Sequence, residues 1–193
     1  MRVGIGYDVH RFNGPPARGA RAGKRPLKLG GVTIPFPRGL SGHSDADVLL
    51  HAVADALLGA IGAPDLGEQF PSGDPRYRNA DSRTFVQAAS AALRREGWAV
   101  GNVDATVIAD APQLTGYKEG MRRAISRLLK IRPSQVSVKA KTTERFAPGR
   151  AGIAAQAVVL LKKARGSGLG VRGKRATHAP NPQPRTPNRR YVS

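Results

Sequence analysis

Three residues of this chain have the types and spacing of a metal site. Asp8 and His10 stand at i and i+2 in MRVGIGYDVH, so extended backbone projects both from one face. His51 lies in GHSDADVLLHAVADALLG, residues 42–59, where apolar residues recur at helical spacing. One carboxylate and two imidazoles fill three positions around a tetrahedral ion. The fourth stays open, as catalytic zinc requires. A strand supplies two ligands and a helix the third. Asp47 and Asp55 stand four residues before and after His51 and share its helix face. Asp55 is the candidate to orient the ring. D-x-H is a common pattern, however, and a buried helix with one satisfied histidine explains His51 equally well.

Two further groups suit anions. His43 and Ser44 stand at the start of the same helix, where free backbone N–H groups favour negative charge. KAKTTE, residues 139–144, ends a strand with two hydroxyls, an ammonium and a carboxylate. Hydroxyls and N–H groups suit phosphate oxygens, and a lone Glu144 suits Mg²⁺ shared with phosphates. The plain alternative is a turn with ordinary polar residues.

The elements that must hold these groups follow from periodicity. The His51 helix reads from about residue 45 to 61, with Val48, Leu49, Ala52, Val53, Ala56, Leu57 and Ala60 as its apolar face. Ahead of it come an apolar strand from Val3 to Tyr7, interrupted by Gly4 and Gly6, and a short strand over 27–34 turned at Gly30 and Gly31. Residues 64–80 read as a long polar loop, the kind that is usually functional or mobile. Asp81 and Ser82 form an N-cap before a helix inward at Phe85, Val86, Ala89, Ala92 and Leu93, ending at Gly97. Strands over 100–109, 135–141 and 153–161 and a helix over 117–129 complete the pattern. The order predicts an α+β domain, a mixed sheet with helices on one face.

Composition narrows the chemistry. The 193 residues include no Cys, which removes disulfides, thiolate zinc sites and thiol nucleophiles. No signal peptide or membrane-length apolar run is present, so a cytoplasmic protein is expected. The formal charge is +19, concentrated in acid-free runs over 18–28 and 162–193. Such runs favour anionic partners or serve as a solvated tail. Periodicity stops near Ala164, so a domain over 1–163 and a basic disordered tail over 164–193 are expected.

The segments MRVGIGYDVHRF, GHSDADVLLHAVADALLGAIGAPDLGEQFP, ADSR, GNVDATVIADAP and VKAKTTE, in this order, resemble the 2-C-methyl-D-erythritol 2,4-cyclodiphosphate synthase family. The resemblance covers residues 1–163. It implies a homotrimer of subunits with four-stranded mixed sheets, packed by those sheets with helices outside and active sites between subunits. It implies conversion of 4-diphosphocytidyl-2-C-methyl-D-erythritol 2-phosphate to the cyclic diphosphate with release of CMP. One Zn²⁺ per subunit, or Mn²⁺, would sit on Asp8, His10 and His51, and Mg²⁺ on Glu144 with the substrate diphosphate. By the same resemblance, His43 steadies the attacking phosphate and Thr142 stands near the transferred phosphorus. Asp65, Leu66 and Gly67 hold the methylerythritol hydroxyls, beside a loop of Phe70, Pro71, Ser72, Gly73 and Asp74. Ala109, Asp110, Ala111, Pro112, Gln113, Leu114 and Thr115 form the cytosine pocket. Val9, Ser44, Lys141, Thr143 and Arg150 complete the substrate contacts.

The chain departs from that family in places. Residues 13–26 are longer than usual. The turn before the last strand is shortened to APGRAG, residues 147–152, with Ala151 where the family has Glu, and Lys141 replaces a common Thr or Ser. The basic tail is an addition. Arg150 is expected at a trimer-axis cavity that accepts an isoprenoid diphosphate. Two other readings remain: a trimeric scaffold whose basic arms grip nucleic acid, and a zinc phosphohydrolase. Aromatic residues are only 5%, which leaves few stacking platforms for nucleic acid.

Overall fold

In the computed structural model, which describes residues 1–14, 25–144 and 152–164, the chain opens with a ten-residue strand, β1 (Arg2–Arg11). Its alternation is unusual. Val3, Ile5, Tyr7 and Val9 point to an open face and are exposed. Gly4 and Gly6 point the other way, against helix α1 (Val48–Ile61). A Cβ on Gly4 would stand 2.0 Å from the Ala56 carbonyl oxygen, and one on Gly6 2.1 Å from that of Ala52. These glycines do not interrupt the strand. They let helix backbone touch strand backbone.

Helix α1 is buried around nearly its whole circumference, including Leu50, Ala54 and Leu58 outside the expected face. It lies on β1 and on the last strand, β6 (Gly152–Lys163), with α3 (Arg83–Arg95) along its flank. It starts at Val48, not near Asp45. Ala46 has φ +59°, which breaks the helical path, and Asp47 caps the first turn by accepting the Leu50 N–H. Gly62 ends the helix in the left-handed conformation, as the sequence predicts.

The stretch 27–34 forms a two-stranded hairpin rather than one strand, β2 (Leu27–Leu29) with β3 (Val32–Ile34). Gly30 and Gly31 turn it with φ of +58° and +77°, a pair that L side chains rarely adopt. The stretch 64–80 is not a plain loop. It carries α2 (Leu66–Gln69) and a 3₁₀ turn at Pro75–Tyr77, each capped by a preceding aspartate, Asp65 and Asp74.

Strands β4 (Trp98–Ile108) and β5 (Val136–Lys141) and helix α4 (Lys118–Leu129) complete the domain. The main sheet has four strands in the order β1–β6–β4–β5, with β4 and β5 parallel and the other pairs antiparallel. The expected mixed sheet with helices on one face is therefore present: α1 covers β1 and β6, and α4 covers β5. Strands β1, β4 and β5 consequently run in one direction and finish at one end of the sheet. His10 stands opposite Ile153, Ala154 opposite Ile108, and Ile108 opposite Lys141, so these residues mark that end.

The glycine contact predicts a sharp sensitivity. Gly6→Val should over-pack the interface between β1 and α1 and lower stability by about 1–3 kcal/mol or more. Gly73→Ala, where an added Cβ meets nothing within 4 Å, should be near neutral. Denaturant titration of both variants checks this; equal midpoints would contradict it.

Candidate metal centre and the cavity beside it

Asp8 and His10 leave β1 on its helix-facing side, just beyond the two glycines. The close approach of α1 brings His51 to meet them. Asp8 Oδ2 lies 2.9 Å from His51 Nδ1 and 3.0 Å from His10 Nε2. The two ring nitrogens are 3.3 Å apart. Ligands held about 2.0–2.1 Å from a tetrahedral zinc stand about 3.3 Å from one another. The histidine pair meets that spacing and the carboxylate falls a little short of it. All three side chains are half-buried, and together they form a group able to hold a metal ion. Gly42 leaves room for the His10 ring: a Cβ there would meet His10 Cε1 at 3.3 Å. Burial alone would push the Asp8 carboxyl pKa up. The His10 and His51 rings against it outweigh that and hold the group well below the ordinary carboxylate range.

The second nitrogen of His51 has partners the sequence reading missed. Its Nε2 lies 2.9 Å from Ser82 Oγ and 3.0 Å from Ser44 Oγ. Both serines are buried. Asp55 does not orient the ring. Its carboxylate accepts the Leu66 N–H at 2.8 Å and so anchors the start of α2. Burial, opposed by that bond, raises its pKa. Nor does Asp47 flank the imidazole. It is fully buried and accepts N–H groups from Gly30, Gly31 and Leu50 at 2.8, 2.7 and 3.0 Å. It fastens the β2–β3 hairpin to the start of α1. Ser82 sits at the α3 N-terminus as expected but makes no capping bond. Asp81 does that work, accepting from Arg83 N–H at 3.0 Å. The Arg83 guanidinium lowers the Asp81 pKa to about 2.

Beside the triad opens a cavity of about 200 Å³. His10, His43, Ser44, His51, Leu66, Gly67, Phe70 and Ser72 line it, with Tyr77 and Phe85. Eight expected site residues thus meet in one place. His43 is steadied by the Asp74 carbonyl, which accepts from its Nε2 at 3.1 Å. Phe70 packs against Phe85 at 4.8 Å and Tyr77 at 5.3 Å, ring centre to ring centre. This aromatic wall makes one side of the cavity apolar. Tyr77 belonged to the presumed loop, and Phe85 read only as core. Among the rest of this set, the Asp74 carboxylate binds Arg76, which lowers its pKa. Asp65 caps α2, Pro71 and Gly73 lie in the connecting turn, and the Val9 side chain is on the opposite, open face.

The second expected cluster lies elsewhere. Thr142, Thr143 and Glu144 follow β5, and Ala109 to Thr115 follow β4. Asp110 joins the two segments, accepting from Thr143 N at 2.8 Å and Thr143 Oγ1 at 2.6 Å. The Thr142 hydroxyl bonds the Glu144 carboxylate. Lys141, Thr142 and Glu144 are exposed, whereas Ala109 and Leu114 are buried. The Ala111–Pro112 peptide bond is cis, and Gln113 precedes the turn at Thr115–Tyr117. From His10 to Lys141 is a walk across three inter-strand steps, about 14 Å. Both clusters therefore stand at the same end of the sheet, the triad at the β1 edge and Thr142 to Glu144 at the β5 edge. Arg150 and Ala151 lie outside the described residues.

Comparison with known proteins bears on this arrangement. The YgbB family matches residues 1–162. A protein of Geobacillus kaustophilus named 2-C-methyl-D-erythritol 2,4-cyclodiphosphate synthase is 54% identical over 165 residues, 84% of this chain and 99% of its own length. The solved CDP complex of Plasmodium falciparum IspF is similar with a TM-score of 0.70 at 32% identity, over 85% of this chain and 97% of that one. The bifunctional IspDF of Campylobacter jejuni is similar with a TM-score of 0.75 at 37% identity, over 84% of this chain but 42% of that longer one.

The two aspartates on α1 should separate structural from chemical roles. Asp47→Ala leaves three N–H groups without their acceptor, at about 1–3 kcal/mol for each that stays buried and unpaired. The protein should be strongly destabilised or fail to fold. Asp55→Asn keeps an oxygen for Leu66, so it should retain both the fold and metal stoichiometry. Thermal melts with metal analysis decide the matter; loss of metal from a folded Asp55→Asn protein would return Asp55 to the site.

Proposed function

The chain belongs to the YgbB family of 2-C-methyl-D-erythritol 2,4-cyclodiphosphate synthases, enzymes of the lyase class, and from that premise we propose the following reaction. The substrate is 4-diphosphocytidyl-2-C-methyl-D-erythritol 2-phosphate. Its own 2-phosphate oxygen bonds to the β-phosphorus, the bond from that phosphorus to the CMP oxygen breaks, and CMP leaves. The observation that carries this reading is the meeting of Asp8, His10 and His51 beside a cavity that His10 and His51 line together with His43 and Ser44.

The residues present suit the chemistry. The substrate brings its nucleophile, so the protein needs no nucleophilic side chain. The barrier is the approach of one anionic phosphate to another, and catalysis falls to positioning and to opposite charge. A zinc ion on Asp8, His10 and His51, with Mg²⁺ at Glu144, would supply Lewis-acid charge and a template for phosphate oxygens. His43 holds the attacking phosphate within the cavity, while Leu66 and Gly67 border the methylerythritol. Thr142 orients the transferred phosphoryl group. The segment from Ala109 to Thr115 receives the cytosine.

Thr142 and Glu144, past the end of β5, stand about 14 Å from the triad within one chain. The proposal therefore pairs the triad edge of one subunit with the β5 edge of a neighbour in a homotrimer. Two features support this. Both edges finish at the same end of the sheet, so a rotation about an axis along the strands can bring them together. The sheet face away from the helices exposes Val3, Ile5, Tyr7, Val9 and Val158, an apolar surface suited to burial between subunits. The catalytic unit in this reading is 1–163, working in the cytoplasm. The basic residues after Ala164 lie outside the described residues; their charge favours anionic partners.

Two inactive variants test the arrangement. His51→Ala should lose zinc and nearly all turnover. Glu144→Gln should keep zinc but lose Mg²⁺-dependent turnover. Co-assembled in mixed trimers, they should regain activity, because some interfaces then combine an intact triad with an intact Glu144. Phosphorus NMR of CMP and cyclic diphosphate release reads the result. Mixed trimers as inactive as the parents would place both halves of the site in one chain, and release of inorganic phosphate would indicate a hydrolase. Separately, truncation after Ala164 should leave turnover within a few-fold while removing most salt-sensitive nucleic-acid binding; lost turnover would move the domain boundary.

A further inference from the structure

His51 can serve as a ligand through Nδ1 only if that nitrogen carries a lone pair. Its neighbours on that side pull the other way. Asp8 Oδ2, 2.9 Å off, would favour a proton on Nδ1, and the hydrogen bond so formed would close the site to a cation. We propose that a chain of hydrogen bonds through Lys28, Asp45 and the buried Ser82 holds the proton of His51 on Nε2, and so keeps Nδ1 free to bind metal. The inference rests on the metal reading above and names three positioning residues for it.

The argument is a count of hydrogens. A serine hydroxyl has one hydrogen to give and two lone pairs to receive. Ser82 Oγ lies 2.5 Å from Asp45 Oδ1, the length of an O–H donor on a carboxylate. Asp45 is held as an acceptor from both sides. Its Oδ1 also receives the Ser82 N–H at 3.2 Å, and its Oδ2 pairs with Lys28 Nζ at 3.1 Å. The single hydrogen of Ser82 is thus committed to Asp45. Toward His51 Nε2, at 2.9 Å, Ser82 can only accept. Nε2 must carry the proton, and in the neutral ring Nδ1 must not.

Ser44 cannot make this choice. It lies 3.0 Å from the same Nε2 and accepts the Ala46 N–H at 3.2 Å, but its own hydrogen is uncommitted to a carboxylate. It would donate to a bare Nε2 as readily as accept from a protonated one. The decision belongs to Ser82, which is fully buried, so bulk water does not compete for its hydrogen. Orienting partners of this kind change metal affinity by about 10–100-fold.

The test uses the full-length protein with ¹⁵N-labelled histidine, stripped of metal and held where the ring is neutral. Nitrogen shifts report which position carries the proton, and chelator competition reports zinc affinity. Wild type should carry the His51 proton on Nε2. Ser82→Ala should lose that preference, since only Ser44 remains, and should bind zinc about 10–100-fold more weakly. Ser82→Thr restores the hydroxyl and should restore both readouts, which a merely structural role would not require. Asp45→Ala, which frees the Ser82 hydrogen, should behave as Ser82→Ala does and serves if that variant does not fold. A proton on Nδ1 in metal-free wild type overturns the proposal, as does a folded Ser82→Ala protein with unchanged tautomer and affinity. Failure of wild type to bind zinc at all, with the proton still on Nε2, would instead overturn the metal reading.

Discussion

Backbone contact between α1 and β1 is the constraint on which the rest depends. Two residues without side chains, Gly4 and Gly6, face the carbonyls of Ala56 and Ala52 at distances no Cβ tolerates. Helices normally stand farther from a sheet, separated by side chains. Here the gap is closed, and residues two and four positions further along the same strand face reach the helix directly. Asp8 and His10 do so, and His51 is the residue they meet. With ordinary side chains at positions 4 and 6, the three groups would keep their sequence spacing and lose their meeting point. The helix can be nearly all apolar because it is enclosed: sheet beneath, α3 beside it, and the β2–β3 hairpin pinned to its start by Asp47.

Sheet topology then distributes the chemistry. Placing β6 between β1 and β4 lets β1 run parallel to β4 and β5 without lying beside either. Their finishing ends line up, and each delivers polar residues to the same end of the sheet. The price of that order is separation, since β1 and β5 become the two edges. One chain presents the Asp8, His10 and His51 group at one edge and Thr142 and Glu144 at the other, about 14 Å away. The exposed apolar face between these edges supplies a reason for subunits to associate. In the proposed trimer, assembly and catalysis become the same requirement.

Much was legible in the sequence, and the reasons are local. Asp8 and His10 share a face because strand side chains alternate, whatever the strand packs against. The mixed order of strands and helices follows from periods of two and 3.6. Gly62 and the pair Gly30 and Gly31 mark turns because of their own backbone freedom. The glycines of β1 were visible but misread, since spacing alone does not say what approaches a residue that lacks a side chain. Aspartates on α1 were assigned by helical proximity to His51. Proximity along a helix ranks below the demand of buried N–H groups, and those groups took Asp47 and Asp55 instead.

By itself the sequence determined the ligand types, their secondary structure and the family they resemble, because these depend on residue identity and short-range geometry. Tertiary structure alone decided the partners. Ser82 stands 38 residues from Ser44 and 31 from His51, and nothing in its own neighbourhood distinguishes it from a helix cap. It lost that role to Asp81 only because folding buried its hydroxyl between a carboxylate and an imidazole, where an unpaired polar group is costly. A buried hydroxyl must bond to whatever polar atoms the packing brings near it, and which atoms those are is a property of the whole fold.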